Sequence, residues 1–299
     1  MGGPTPVAPG PPTSVGAGSR RSRILEGVTS GRGVVISSVS TLVVLGLLAF
    51  WLVNSAGASR VAESFFSWED MKDAFFGTQA TPSVWRAFLL NVRMFLVAEV
   101  LILVLALVLA VIRQIPGPAF FPFRLLALAY TDLFRGMPVL LVIYIVGFGI
   151  PALRIDGISD RSPVVLGVAA IVLSYSAYVA EVYRAGIESV HESQVAAARS
   201  LGLSRWKALR FVVLPQAVRR VVPPLLNDFI SLQKDTALVA VLGPIEAARA
   251  AAIYGSFTFN YSSFVVAAIL FVALTVPMAR LTDWLIARQR RRRTAGVAA

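Results

Sequence analysis

Cysteine is absent from the 299 residues, histidine occurs once, at His191, and lysine three times. The missing thiols exclude a disulfide framework, thiolate metal ligands and a cysteine nucleophile, and one imidazole leaves little from which to build a metal site. Charge is scarce as well: 15% of residues are Asp, Glu, Lys or Arg, against about 25% in an average soluble domain. No G-x-x-x-x-G-K-[ST] phosphate loop and no H-E-x-x-H zinc motif occurs, so the chain has neither an ATP site of that kind nor metalloprotease chemistry. What it has is apolar residues, 57% of the total, with a mean hydropathy of +0.73. The few charges cluster between long apolar runs, which excludes an ordinary soluble enzyme and a disordered chain. The net charge of +12 comes almost wholly from arginine; that bias is compositional, and no nucleic-acid partner is expected.

Six runs are long enough to cross the bilayer, since about 30 Å of hydrocarbon takes roughly 20 helical residues. They are Gly33 to Val53, Ala87 to Ile112, Ala119 to Leu153, Pro163 to Tyr183, Val222 to Ala248 and Ser263 to Ala287. The fold class is therefore an all-α, polytopic helical membrane protein. The third run exceeds any straight crossing, and Gly136 with Pro138 supplies a bend. Before the first run, Pro4, Pro6, Pro9, Pro11 and Pro12 among glycines and serines predict a disordered tail over 1–32. The first run, 33–53, is read as an uncleaved anchor, too long for a signal-peptide core. An extracytoplasmic segment over 54–86 follows, then a transmembrane domain over 87–288 and a basic tail over 289–299. With the N-terminus inside, the inner segments hold 18 Lys and Arg against six outside. Both termini are thus expected in the cytoplasm of a cell-membrane protein, with anionic lipid as the partner of the arginine tail.

The inner loop over 184–221 is neither short nor apolar. Ile187, Val190, Gln194, Ala197, Ala198 and Leu201 repeat at three and four residues, which predicts a helix from Ile187 to Leu201 with a small-residue face. Gly202 is placed to end it. Ser204 caps a second helix, Arg205 to Val213, on which Trp206, Leu209 and Val213 share a face, and Leu214-Pro215 stops it. A helix-turn-helix of this kind presents a surface that another protein can approach closely.

Gln194-Val195-Ala196-Ala197-Ala198-Arg199-Ser200-Leu201-Gly202, then nine residues, then Val212-Val213-Leu214-Pro215, resembles the E-A-A loop of ABC importer permeases. Leu133-Phe134-Arg135-Gly136-Met137-Pro138, Ala177-Tyr178-Val179-Ala180-Glu181-Val182-Tyr183-Arg184 and Lys234-Asp235-Thr236-Ala237-Leu238-Val239 resemble segments of the polar amino acid group of those permeases (histidine, arginine, glutamine and glutamate type). The resemblance covers about Ala87 to Arg288. It implies a five-span core preceded by one added span, pairing with a second permease subunit, the same or homologous. It also implies a cytoplasmic ATPase dimer seated on the loop and an extracytoplasmic solute-binding protein. The coupling residues it implies are Gln194, Ala196, Ala197, Ala198, Gly202, Leu214 and Pro215; Ala196 stands where the family has Glu. No cofactor is implied on this chain, since ATP is used by the partner, and no catalytic residue. The arginine-rich, lysine-poor composition and the added span resemble permeases of high-GC Gram-positive bacteria, which ranks glutamate or glutamine first as cargo.

Charged groups at a helix centre cost about 2.5–3.5 kcal/mol on insertion scales, so those present should face the bundle interior or a watery path. Arg93 and Glu99 in the second run, Asp132 and Arg135 in the third, and Asn227, Lys234 and Asp235 in the fifth are the candidates for a substrate pathway. Pro223-Pro224 and the polar stretch Ser231 to Thr236 suggest that the fifth run is two half-helices whose ends face the cargo. In the plainer alternative Arg93 and Glu99 snorkel, and Asp132 pairs with Arg135 three residues on. The competing function is an ATP-independent secondary transporter or channel subunit, which needs no cytoplasmic helix-turn-helix.

Overall fold

The computed structural model describes residues 31–295, leaving out Ala56 and the side chains of 31–33, 52 and 289–295. Most of the tail read over 1–32, and the last four residues, lie outside the described residues. The chain divides into two compact units at Val61. In the first, α1 (Gly31–Val53) is a 23-residue apolar helix, long enough to cross a membrane.

The boundary falls within the short helix α2 (Ala58–Phe65), and α3 (Trp68–Phe76) follows in the second unit; both lie in the segment read as extracytoplasmic. Ser67 caps α3 by accepting from Asp70 N at 3.4 Å. α4 (Val84–Gln114) starts at Ser83, whose side chain accepts from Arg86 N. Its 31 residues rise about 46 Å, enough to overshoot the hydrocarbon at both ends. Ala87, Asn91, Met94, Ala98, Ile102, Ala106 and Leu109 form its buried stripe, while Val97, Val100, Leu101, Val104 and Val108 point outward. Alanines in the stripe let another helix come close without a polar driving force.

The third apolar run is not one crossing. A 3-10 turn (Pro118–Phe120) leads into α5 (Phe121–Gly136), and α6 (Val139–Ala152) leaves it at 109°. Pro138 lacks the N–H that would continue the helix, and it confines Met137 to extended backbone (φ −102, ψ 138). The bend was legible at Gly136 and Pro138; its sharpness was not. α7 (Pro163–Glu188) runs through the middle of the unit, packed on α4, α5, α6 and α10. Ser162 caps it, and Pro163 takes its first turn, where a missing N–H costs nothing.

After α7 come α8 (Glu192–Ser200), α9 (Arg205–Ala208), a π-helical turn (Leu209–Val213) and α10 (Leu214–Asp235). This corrects three expectations. The first loop helix begins at Glu192, not Ile187, because Ser189 to His191 break it. Leu214-Pro215 does not stop the second: the wide turn, closed by Leu214 N to Leu209 O, absorbs the proline that an α-helical register would reject. Pro223 and Pro224 lie inside α10 and do not open it. The break in the fifth run falls later, where the helix tightens into a 3-10 segment (Thr236–Leu242) ended by Gly243 at φ +109.

That segment is wedged between α6 and α7. A Cβ at Gly147 would collide with Leu242, and one at Gly167 with Val239. α11 (Ala247–Thr258) occupies the end of the fifth run and most of the stretch between it and the sixth, and α12 (Ser262–Ala295) follows. Two cores result. The larger joins α4, α5, α6, α7 and α10. The smaller joins α3, α4, α11 and α12 around Ala74, Phe88, Ala251, Tyr254 and Leu270.

Candidate functional site

The loop between α7 and α10 is built by local capping. His191 is its first N-cap: Nδ1 accepts from Ser193 N at 3.2 Å, and the ring is exposed. At the other end of α8, Gly202 N donates to Arg199 O and Leu203 N to Ala198 O, the paired bonds of a Schellman close, with Gly202 at φ +83. Ser204 then accepts from Lys207 N at 3.3 Å and starts α9.

Of the residues proposed for coupling, Gln194, Ala196 and Ala197 are exposed on α8, Ala198 is buried, Gly202 lies at the turn, and Leu214 and Pro215 are exposed beyond the π turn. Leu201, at 85% exposure, Trp206 and Phe211 add apolar surface. Val213 is buried and so does not share an open face with Trp206.

The loop is tied to the helix ends by arginines. Arg113 at the end of α4 lies 3.0 Å from Glu181 of α7, and Arg135 at the end of α5 lies 4.0 Å from the same carboxylate. Arg184 pairs with both Glu181 and Glu188, and Arg220 of α10 donates to the Ser189 carbonyl. Arg135 is therefore paired with Glu181, not with Asp132, which is exposed.

The pathway candidates divide. Glu99 and Asp228 are both half-buried, on the packed helices α4 and α10. Asp235 accepts from Tyr175 of α7 at 2.7 Å. Asn227 and Lys234 are exposed on α10. Arg93 stands apart, beside an apolar groove of about 530 Å³ between α4 and α7 lined by Met94, Val97, Val168 and Val172.

Sequence reasoning missed a buried, hydrogen-bonded polar cluster. Glu246 is fully buried and caps α11, accepting from Ala248 N at 3.0 Å and Arg249 N at 2.7 Å. Asn91 of α4 donates to Glu246 at 3.0 Å and to Thr236 at 3.2 Å, and accepts from Ala247 N at 3.0 Å. The signal was present as an acidic residue just ahead of the helical run Ala247-Ala248-Arg249-Ala250. Gln233, read as part of the polar stretch, is also buried and accepts from Thr275 of α12 at 2.8 Å.

Residues 118–291 match the family described as the inner membrane component of binding-protein-dependent transport systems. The chain belongs to that family. Relatives include the probable glutamine ABC transporter permease GlnM of Bacillus subtilis (strain 168), 34% identical over 58% of this chain and 78% of that protein. The arginine transport system permease ArtQ of the same organism is 32% identical over 65% of this chain and 87% of its own length. Among solved structures, an amino acid ABC transporter crystallised with histidines superposes with a TM-score of 0.63 at 28% identity, covering 69% of this chain and 93% of that one. The chain is thus a helical, multi-pass membrane component of an importer, a transport subunit. The secondary-transporter alternative is not favoured by a family defined by binding-protein dependence.

Proposed function

We propose that this chain is the permease subunit of an ATP-driven importer that moves a polar amino acid into the cell. The observation that carries the reading is α8: a short, doubly capped helix with Gln194, Ala196 and Ala197 exposed, held on a loop between two membrane helices in a chain of this family. On this reading an ATPase dimer grips α8 and supplies the power stroke, a solute-binding protein delivers cargo at the opposite face, and a second permease subunit completes the path. The termini lie on the ATPase side. Ala196 in place of the family's Glu removes one charge from the contact, and Glu192, exposed in the first turn of α8, offers another four residues away.

Glutamine and glutamate remain the first candidates for the cargo, supported by the relatives named for glutamine. Glutamine goes ahead of glutamate, because Glu99 and Asp228 are half-buried on the packed helices α4 and α10, and a second carboxylate on the cargo meets like charge there. The test is purification of the tagged chain from native membranes with mass spectrometry of its partners, followed by uptake into ATP-loaded liposomes. Recovery of an ATPase and a solute-binding protein, with glutamine uptake that needs ATP, is the expected result. A chain that purifies alone and transports without ATP refutes the proposal.

A further inference from the structure

We infer that Glu181 is a positioning residue that ties the root of the coupling loop to the α5–α6 bend, so that displacement of α8 is delivered to that bend. The inference rests on the transport function proposed above. Glu181 sits seven residues before the end of α7, and its carboxylate joins three helices: Arg113 brings α4, Arg135 brings α5, and Arg184 continues along α7 to Glu188. One turn earlier, Tyr178 donates to the Arg135 carbonyl at 3.1 Å. Past Glu188, Ser189 donates to the Gly186 carbonyl at 2.6 Å and its own carbonyl takes Arg220 from α10. The start of the loop is therefore fixed to α10 on one side and, through Glu181, to α4 and α5 on the other.

Charge makes the junction depend on Glu181. Three guanidinium groups converge on one carboxylate, and their side chains are only 16%, 29% and 42% exposed. Without the negative charge, three like charges share a half-desolvated site and repel. The three contacts also differ in grip. Arg113 and Arg184 hydrogen-bond to the carboxylate, whereas Arg135 stands at 4.0 Å on the most exposed of the three side chains. Arg135 is next to Gly136, where α5 turns through 109° into α6. A small shift of α5 against α7 makes or breaks this contact while the other two hold, which is the behaviour of a transmitting joint and not of a static strut.

The test uses the assembled importer, permease with its ATPase and binding protein, in liposomes, with ATP hydrolysis and uptake measured in parallel. Glu181→Gln keeps the shape and removes the charge; ATP consumed per molecule imported is expected to rise several-fold in complexes that stay assembled. Glu181→Asp restores part of the ratio. Arg135→Gln changes a half-exposed side chain, so it keeps the measurement available should Glu181→Gln not assemble. It raises the ratio by itself, and the double variant is no worse than Glu181→Gln. A wild-type ratio in both Glu181→Gln and Arg135→Gln, or a parallel fall of hydrolysis and uptake, overturns the inference and leaves the transport function standing. A wild-type complex that imports nothing with ATP overturns both.

Discussion

Glu246 carries a carboxylate into a fully buried position, and the burial is tolerable because three N–H groups converge on it: two from the first turn of α11 and one from Asn91. Replacing it with alanine strands those donors, and stranded buried donors are costly. Glu246→Ala is expected to lose about 2–4 kcal/mol, seen as a lower melting temperature of the detergent-solubilised protein, with Glu246→Gln in between because its amide oxygen still accepts. Gly202 is the opposite case. Its φ of +83 disfavours any side chain, yet a Cβ there meets nothing within 4 Å, so the fold loses only about 1 kcal/mol when Gly202 is replaced. Gly202→Asp should therefore insert and melt nearly as the parent does while ATP-driven uptake is abolished; normal uptake in membranes that contain the variant would sink the coupling role of α8. These two residues also show what a sequence discloses at this scale. Gly202 was legible, since a glycine after a periodic run has one common meaning. The Asn91–Glu246 contact was not, because it joins positions 155 residues apart and nothing in either neighbourhood names the other.

At the scale of elements, hydropathy located every apolar run but misjudged where backbone turns fall within them. Proline was the main source of error. Pro138 broke its helix as expected, whereas Pro215 and Pro223-Pro224 did not, the first because a π-helical turn precedes it and the others because they sit within a helix packed on α7. The bend falls at 243–246, where Gly243 and Pro244 stand, and ahead of it comes the 3-10 segment Thr236 to Leu242, which has no proline. That segment is set by what it packs against: Val239 enters over Gly167 and Leu242 over Gly147, a close approach that only missing side chains allow. Gly167→Val should force the 3-10 segment off α7 and remove folded protein from the membrane, an overpacking cost of roughly 1–3 kcal/mol or more. Gly149→Val, on the same helix as Gly147 but with open space around it, should leave the amount of folded protein unchanged. Equal yields of the two variants, quantified by fluorescence size-exclusion in detergent, would show that the close approach is not structural.

For the whole molecule, the arginine distribution and the fold make one joint demand: the loop bearing α8 and the connection between α6 and α7 must lie on opposite sides of the membrane. α7 is 26 residues long and apolar enough to cross, with the 153–162 connection at its start and the α8 loop at its end. Which side is which is a prediction from charge. Basic residues are retained in the cytoplasm, and the α8 loop carries Arg184, Arg199, Arg205, Lys207, Arg210, Arg219 and Arg220 against Arg154 and Arg161 in the 153–162 connection. The absence of cysteine makes this directly measurable, because any introduced thiol is the sole target of a maleimide. Asp156 and Ser200 are both exposed. In intact cells an impermeant maleimide should label Asp156→Cys at once and Ser200→Cys only after the membrane is opened. The reverse pattern would put α8 outside, beyond the reach of any cytoplasmic ATPase, and would remove the physical basis for ATP-driven import. Labelling of both in intact cells would mean that α7 does not cross.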